Sequence, residues 1–129
     1  MADALYSEKE GDLAIFVKWI DFLKWLLSKT EKFPKKVRFT FSNRINNLAL
    51  DIVESLIEAR YCRSKFSILR QTNLNLEKLR ILFRLSYESR FLSHEAYEHG
   101  IKKMNEVGRM LGGWMKSRSE PHETSRQSF

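Results

Sequence analysis

The sequence predicts an all-α fold, an antiparallel up-down four-helix bundle. Three observations lead there. Apolar residues recur at spacings of three and four along four long stretches, and no stretch alternates with period two. Only two prolines and five glycines occur in 129 residues, so long irregular segments are not expected. The breaks between stretches are short, which returns each helix against its sequence neighbour.

Helix one is expected from Asp12, as N-cap, to about Lys32. "KFPKKVRF" interrupts it, and Pro34 suits the first turn of helix two, which runs to about Arg63. Its core stripe is Phe41, Ile45, Leu48, Ile52, Leu56 and Ala59. Helix three covers Lys65 to Arg90, with Leu69, Leu76, Leu79 and Phe83 inward. Ser93 reads as the N-cap of helix four, with Glu95 in its first turn. Tyr97, Ile101, Met104, Val107 and Leu111 carry that helix to about Lys116. The bundle domain is thus residues 13–117, between an acidic, partly disordered segment 1–12 and a polar, disordered tail 118–129.

The charge balance points to a polyanionic partner. The net charge is +7 and the sequence pI is near 9.7, a basic excess that nucleic acid would meet and that solubility alone would also explain. One cysteine, Cys62, allows no disulfide within the chain and fits a reducing, cytoplasmic setting. The acidic, polar N-terminus is unlike a signal peptide, and no apolar run is long enough to span a membrane.

No catalytic constellation is legible, and no cofactor or metal is expected. His94 and His99 are five apart, so they do not share a helix face as a zinc-binding i,i+4 pair does. His122 lies in the tail, and Cys62 reads as a small, partly buried side chain. The glycines of "EVGRMLGGWMKS" follow no strand and form no nucleotide cradle. The expectation is a binding protein rather than an enzyme.

Apolar surplus suggests oligomerisation. From Leu13 to Leu27 only Lys18, Asp21 and Lys24 are polar, in one narrow stripe. Phe16, Trp19 and Phe22 therefore leave helix one apolar over most of its circumference, which calls for burial on more than one face. The alternative is a broad internal face with some exposed aromatics. On helix three, Leu74, Ile81 and Leu85 form a second apolar stripe. Between the stripes lie Arg70, Asn73, Glu77, Arg80, Arg84 and Glu88. Arginines flanked by apolar surface fit an interface, to protein or to phosphate, although Arg80 can pair with Glu77 and Arg84 with Glu88 along the helix.

Other cations gather at the bundle's two ends. Lys29, Lys32, Lys35, Lys36, Arg38 and Arg90 share one pole; Arg60, Arg63, Lys65, Lys116 and Arg118 share the other. Cations at helix C-termini are ordinary dipole partners, which covers Lys29, Lys32, Arg60 and Arg63. Lys35, Lys36 and Arg38 sit at a helix start instead, where anions bind well. The nucleic-acid candidates are Lys35, Lys36, Arg38, Arg60, Arg63 and Lys65. In helix four, Gly100, Gly108 and Gly112 lie on one i±4 row, a groove that lets another helix approach, with Trp114 beside it. The alternative is a helix that ends near Gly112 with glycine as its C-terminal cap.

"FPKKVRF" after helix one, "LRILFRL" in helix three and "EVGRMLGGWMKS" in helix four resemble the Avd proteins, the accessory variability determinants of diversity-generating retroelements. The resemblance covers residues 13–117. Proteins encoded in ribosomal-RNA intervening sequences share the bundle and the "FP" turn, but their asparagine-alanine-glutamate-glycine motif is absent where this chain reads "ESLIEAR". The Avd resemblance implies a four-helix bundle assembling into a basic pentameric barrel. It further implies a non-enzymatic partner of the retroelement's reverse transcriptase that binds RNA or DNA and supports adenine-mutagenic cDNA synthesis. It makes Arg80 and Arg84 candidates for contacting the transcriptase or its RNA, to which Arg70 is added from the same stripe of helix three, and Lys35, Lys36 and Arg38 the family's basic turn. The interface candidates are then Phe16, Trp19, Phe22, Leu74, Ile81, Leu85, Gly108, Gly112 and Trp114. The rival reading is an intervening-sequence-type bundle that binds structured RNA or a protein. A sequence-specific DNA binder ranks last, for want of a compact helix-turn-helix.

Overall fold

Apolar side chains spaced three and four apart give each of four long stretches one face that water disfavours, and each stretch folds as a helix. A computed structural model describes residues 10–117 of the chain. The helices are α1 (Glu10–Thr30), α2 (Asn43–Tyr61), α3 (Lys65–Glu88) and α4 (His94–Ser117). Among the described residues there is no strand. α1 and α3 each pack on both α2 and α4, which closes a four-helix bundle around one core. Trp19, Leu26, Ile45, Ile52, Leu69, Leu79, Phe83 and Met104 fill it. Burying a side chain of that size contributes about 1.5–3 kcal/mol.

The helix ends differ from the sequence expectation in instructive ways. Asp12 is not a cap: it lies inside α1 and is buried. The last residues of the expected acidic segment are therefore helical, while residues 1–9 and the tail 118–129, including Arg118 and His122, lie outside the described residues. α1 ends at Thr30 rather than Lys32. The Thr30 hydroxyl is 2.9 Å from the Asn46 side chain on α2, and Phe33 folds back into the core.

Pro34 does not open an α-helix. It is extended (φ −55°, ψ 141°) and leads into a 3₁₀ turn at Lys35–Val37, then a π-helical turn at Arg38–Ser42. Both precede α2. These tighter and wider turns change the helical phase between Pro34 and Asn43.

The α2–α3 connection has neither glycine nor proline. It is made by Cys62 in the extended region (φ −101°, ψ 144°). Lys65 Nζ then donates to the carbonyls of Ala59 (2.7 Å) and Arg60 (3.1 Å), satisfying acceptors that the end of α2 leaves open. α3 stops at Glu88, two residues early, because Arg90 adopts the left-handed region (φ 66°). The Phe91 N–H bonds to the Ser86 carbonyl at 2.8 Å, a C-terminal cap usually built on glycine. α4 starts as expected, with the Ala96 N–H bonded to Ser93 Oγ at 3.1 Å. It continues through Gly112 and Gly113 to Ser117, so neither glycine terminates it.

Candidate interaction surface

The candidate residues divide by where packing leaves them. Trp19 and Phe22 of α1 and Trp114 of α4, expected between subunits, are buried in the chain's own core. Trp19 also donates its indole N–H to the Ala49 carbonyl at 2.9 Å, which fixes the ring toward α2. Phe16 is half-buried against the same core. The apolar breadth of α1 is thus largely used within the chain, because α1 contacts two neighbours and not one. Val17 and Leu27 remain exposed on it. The polar stripe faces outward, where Lys18 Nζ pairs with Glu106 of α4. That ammonium, by hydrogen bond and by charge, holds the Glu106 carboxyl below the ordinary carboxylate range.

The second apolar stripe of α3 behaves as anticipated in one respect: Leu74, Ile81 and Leu85 are all exposed, opposite the buried face that carries Leu76, Leu79 and Phe83. Of the three arginines flanking it, Arg70 is exposed in a shallow cleft beside Phe66, Leu74, Glu77 and Met115. The Arg84 side chain is 70% exposed and pairs only along its own helix, with Glu88 at 3.2 Å. Arg80 is different. Its side chain is 22% exposed, Nε donates to Asn105 Oδ1 of α4 at 3.0 Å, and Nη1 donates to Glu77 at 3.0 Å. Its remaining Nη2 lies over Gly108, where a Cβ would collide with it. Arg80 therefore tethers α3 to α4, and it is not the open partner of Arg84 that their spacing suggested.

The glycine row of α4 divides as well. Gly100 is buried, and a Cβ there would strike the Phe83 ring and lie 3.2 Å from Trp25 Cζ3. The close approach that this glycine permits is within the chain. Gly108 accommodates Arg80, whereas Gly112 and Gly113 face open space. A continuous groove for a foreign helix is not present along the row.

The basic candidates separate just as sharply. Lys35, Lys36 and Arg38 are all exposed on the turns between α1 and α2, and Arg63 is exposed at the end of α2. Arg60 is buried, and Lys65 is part-buried with its ammonium on the α2 carbonyls, so both present little to a phosphate. The histidines make local contacts: His94 Nδ1 lies 3.0 Å from the Tyr87 hydroxyl, and His99 packs on Trp25 with ring centroids 4.7 Å apart. Among the described residues no group of three or more His, Cys, Asp and Glu could hold a metal ion, and no helix is long and apolar enough to cross a membrane.

One feature escaped the sequence reading. Phe39, on the π-helical turn, is 82% exposed and borders an open groove of about 810 Å³ between the start of α2 and α3. Asn43, Arg44, Asn47, Lys78 and Ile81 are among the other residues that line it. The available signal was Phe39 itself, an aromatic between Arg38 and Thr40 that the core stripe through Phe41 and Ile45 leaves out.

Comparison with known proteins places this surface in context. A search of curated proteins finds no match. The bAvd-like family profile matches residues 13–118, which spans all four helices, the basic turn after α1 and the arginine-bearing face of α3. The chain belongs to the bAvd-like family.

Proposed function

We propose that this chain is the non-enzymatic accessory protein of a diversity-generating retroelement. In this reading it binds the retroelement's reverse transcriptase and RNA or DNA in the cytoplasm and supports mutagenic cDNA synthesis. The observation that carries the reading is the bAvd-like match over residues 13–118. The exposure of Lys35, Lys36, Arg38 and Arg63 supports phosphate binding that is electrostatic and largely independent of sequence. The exposure of Arg70 and Arg84 beside Leu74, Ile81 and Leu85 supports a protein interface on α3.

The reading includes an antiparallel up-down bundle that assembles into a homo-oligomer, a pentamer by likeness to the family. Contacts such as Lys18 with Glu106, Trp25 with His99, and Arg80 with Asn105 support the antiparallel course. The exposed apolar ridge of α3 supports assembly, since stripes of this kind mark interfaces.

The test is co-purification of the reverse transcriptase of the same retroelement with the tagged chain. Light scattering of the chain alone and a salt series of nucleic-acid binding accompany it. The transcriptase should co-purify, the scattering mass should exceed the 15.4 kDa of one chain, and binding should weaken steeply with salt. A chain that stays monomeric, ignores the transcriptase and binds nucleic acid equally at all salt concentrations does not fit this reading.

A further inference from the structure

We propose that the groove between the start of α2 and α3 seats unpaired nucleobases, with Phe39 as its stacking platform. The inference rests on the nucleic-acid reading above and narrows it to single strands. Phe39 is the most exposed large apolar side chain among the described residues. Its neighbour Phe41 turns inward, with its ring 5.4 Å from that of Phe91, so the five-residue π turn anchors one aromatic and presents the other to solvent.

What surrounds the ring identifies the occupant. Arg44 and Lys78 line the groove from α2 and α3, and no carboxylate lines it. Lys35, Lys36 and Arg38 are exposed immediately before Phe39 in the chain. A strand whose base stacks on Phe39 can set its phosphates against Arg44 and Lys78, and the exposed cations of the same turn add to the attraction. The side-chain amides of Asn43 and Asn47, also on the groove, can each donate to and accept from a base edge. An exposed aromatic set in a cationic groove is the combination by which proteins hold single strands, because every base has a π face and stacking tolerates any sequence. A duplex keeps its base faces inside its own stack and gains nothing from the ring.

The experiment measures binding of the full chain to a labelled polyuridine oligonucleotide and to an RNA duplex of equal length, by anisotropy across a salt series. Phe39→Ala should weaken single-strand binding about five- to a hundredfold, the loss that follows truncation of a stacking aromatic. It should leave duplex binding and the salt slope unchanged. Phe39→Trp should retain single-strand binding, and Phe39→Leu should lose it. Arg44→Ala and Lys78→Ala should each lower the single-strand salt slope by about 0.7.

If the unmodified chain binds neither probe, the nucleic-acid reading itself fails, and this inference with it. If it binds both and Phe39→Ala is without effect on the single strand, the stacking inference alone is overturned. Full binding by Phe39→Leu also overturns it, because apolar volume and not a π face would then be what matters. A change in scattering mass for Phe39→Ala overturns it too, by marking the groove as a contact between copies of the chain.

Discussion

Arg80 of α3 donates its Nε–H to the Asn105 side chain of α4 at 3.0 Å, across the gap that Gly108 leaves open. The residue that looks like half of an exposed arginine pair is thereby part of the helix packing, while Arg84, one turn further on, points to solvent. Arg80→Ala should lower stability by about 1 kcal/mol, the usual worth of a part-buried hydrogen-bonded side chain. Arg84→Ala should change it by less than about 0.5 kcal/mol and should act on transcriptase binding instead. Urea titration of both variants, alongside the co-purification, separates the two roles. Equal stability losses would contradict this division.

The glycines of α4 should answer differently to the same substitution. Gly112 and Gly113 sit within the helix facing open space, so alanine at either position should stabilise by about 0.5–1 kcal/mol through helix propensity. Gly100→Ala drives a methyl into Phe83, which is buried and cannot retreat, and should destabilise despite the same propensity gain. Gly108→Ala displaces only the end of a flexible arginine, so its cost should fall between these. Thermal melts of the four variants give the order directly. A stabilised Gly100→Ala would refute the tight contact with Phe83.

Arg90 holds the left-handed conformation at φ 66° that ends α3. A side chain there costs on the order of 1 kcal/mol relative to glycine. Arg90→Gly should therefore raise the denaturation midpoint, with the Phe91-to-Ser86 hydrogen bond kept. A lowered midpoint would show that the arginine side chain stabilises this end more than its backbone strains it.

The Lys18–Glu106 pair gives the bundle an acid-sensitive contact between α1 and α4. The Glu106 carboxyl is held lower in the folded chain than in the unfolded one, chiefly by the hydrogen bond and charge of Lys18. Its stabilisation is therefore complete above the unfolded carboxylate's pKa and fades as pH falls through the folded one. Glu106→Gln should flatten the acid limb of the stability–pH curve by lowering stability at neutral and mildly alkaline pH, while altering little at acid pH, where the carboxyl is already protonated. Chemical denaturation at a series of pH values checks this, and an unchanged acid limb would remove the pair from the account.

Local chemistry in the sequence was enough to determine the four helices, the Ser93 cap and the inward stripes of α2, α3 and α4, whereas Lys35, Lys36 and Arg38, expected at a helix start, lie on the 3₁₀ and π turns before α2. Spacing and capping act within a few residues, so one chain's order of residues carries them. Membership of the Avd-type family was likewise legible in three short motifs. Tertiary structure decided what each surplus was for. Periodicity counts apolar faces on α1 but not the neighbours available to cover them, and two helices of the same chain bury Trp19 and Phe22. Helical spacing puts Arg80 and Arg84 on one face. Only the position of α4, with Asn105 and Gly108 beneath one of them, draws Arg80 into the packing and leaves Arg84 exposed, paired along its own helix with Glu88. Phe39 became visible for the same reason: exposure belongs to the packed molecule, where the turn before α2 packs Phe41 against Phe91 and leaves the ring two residues earlier in solvent.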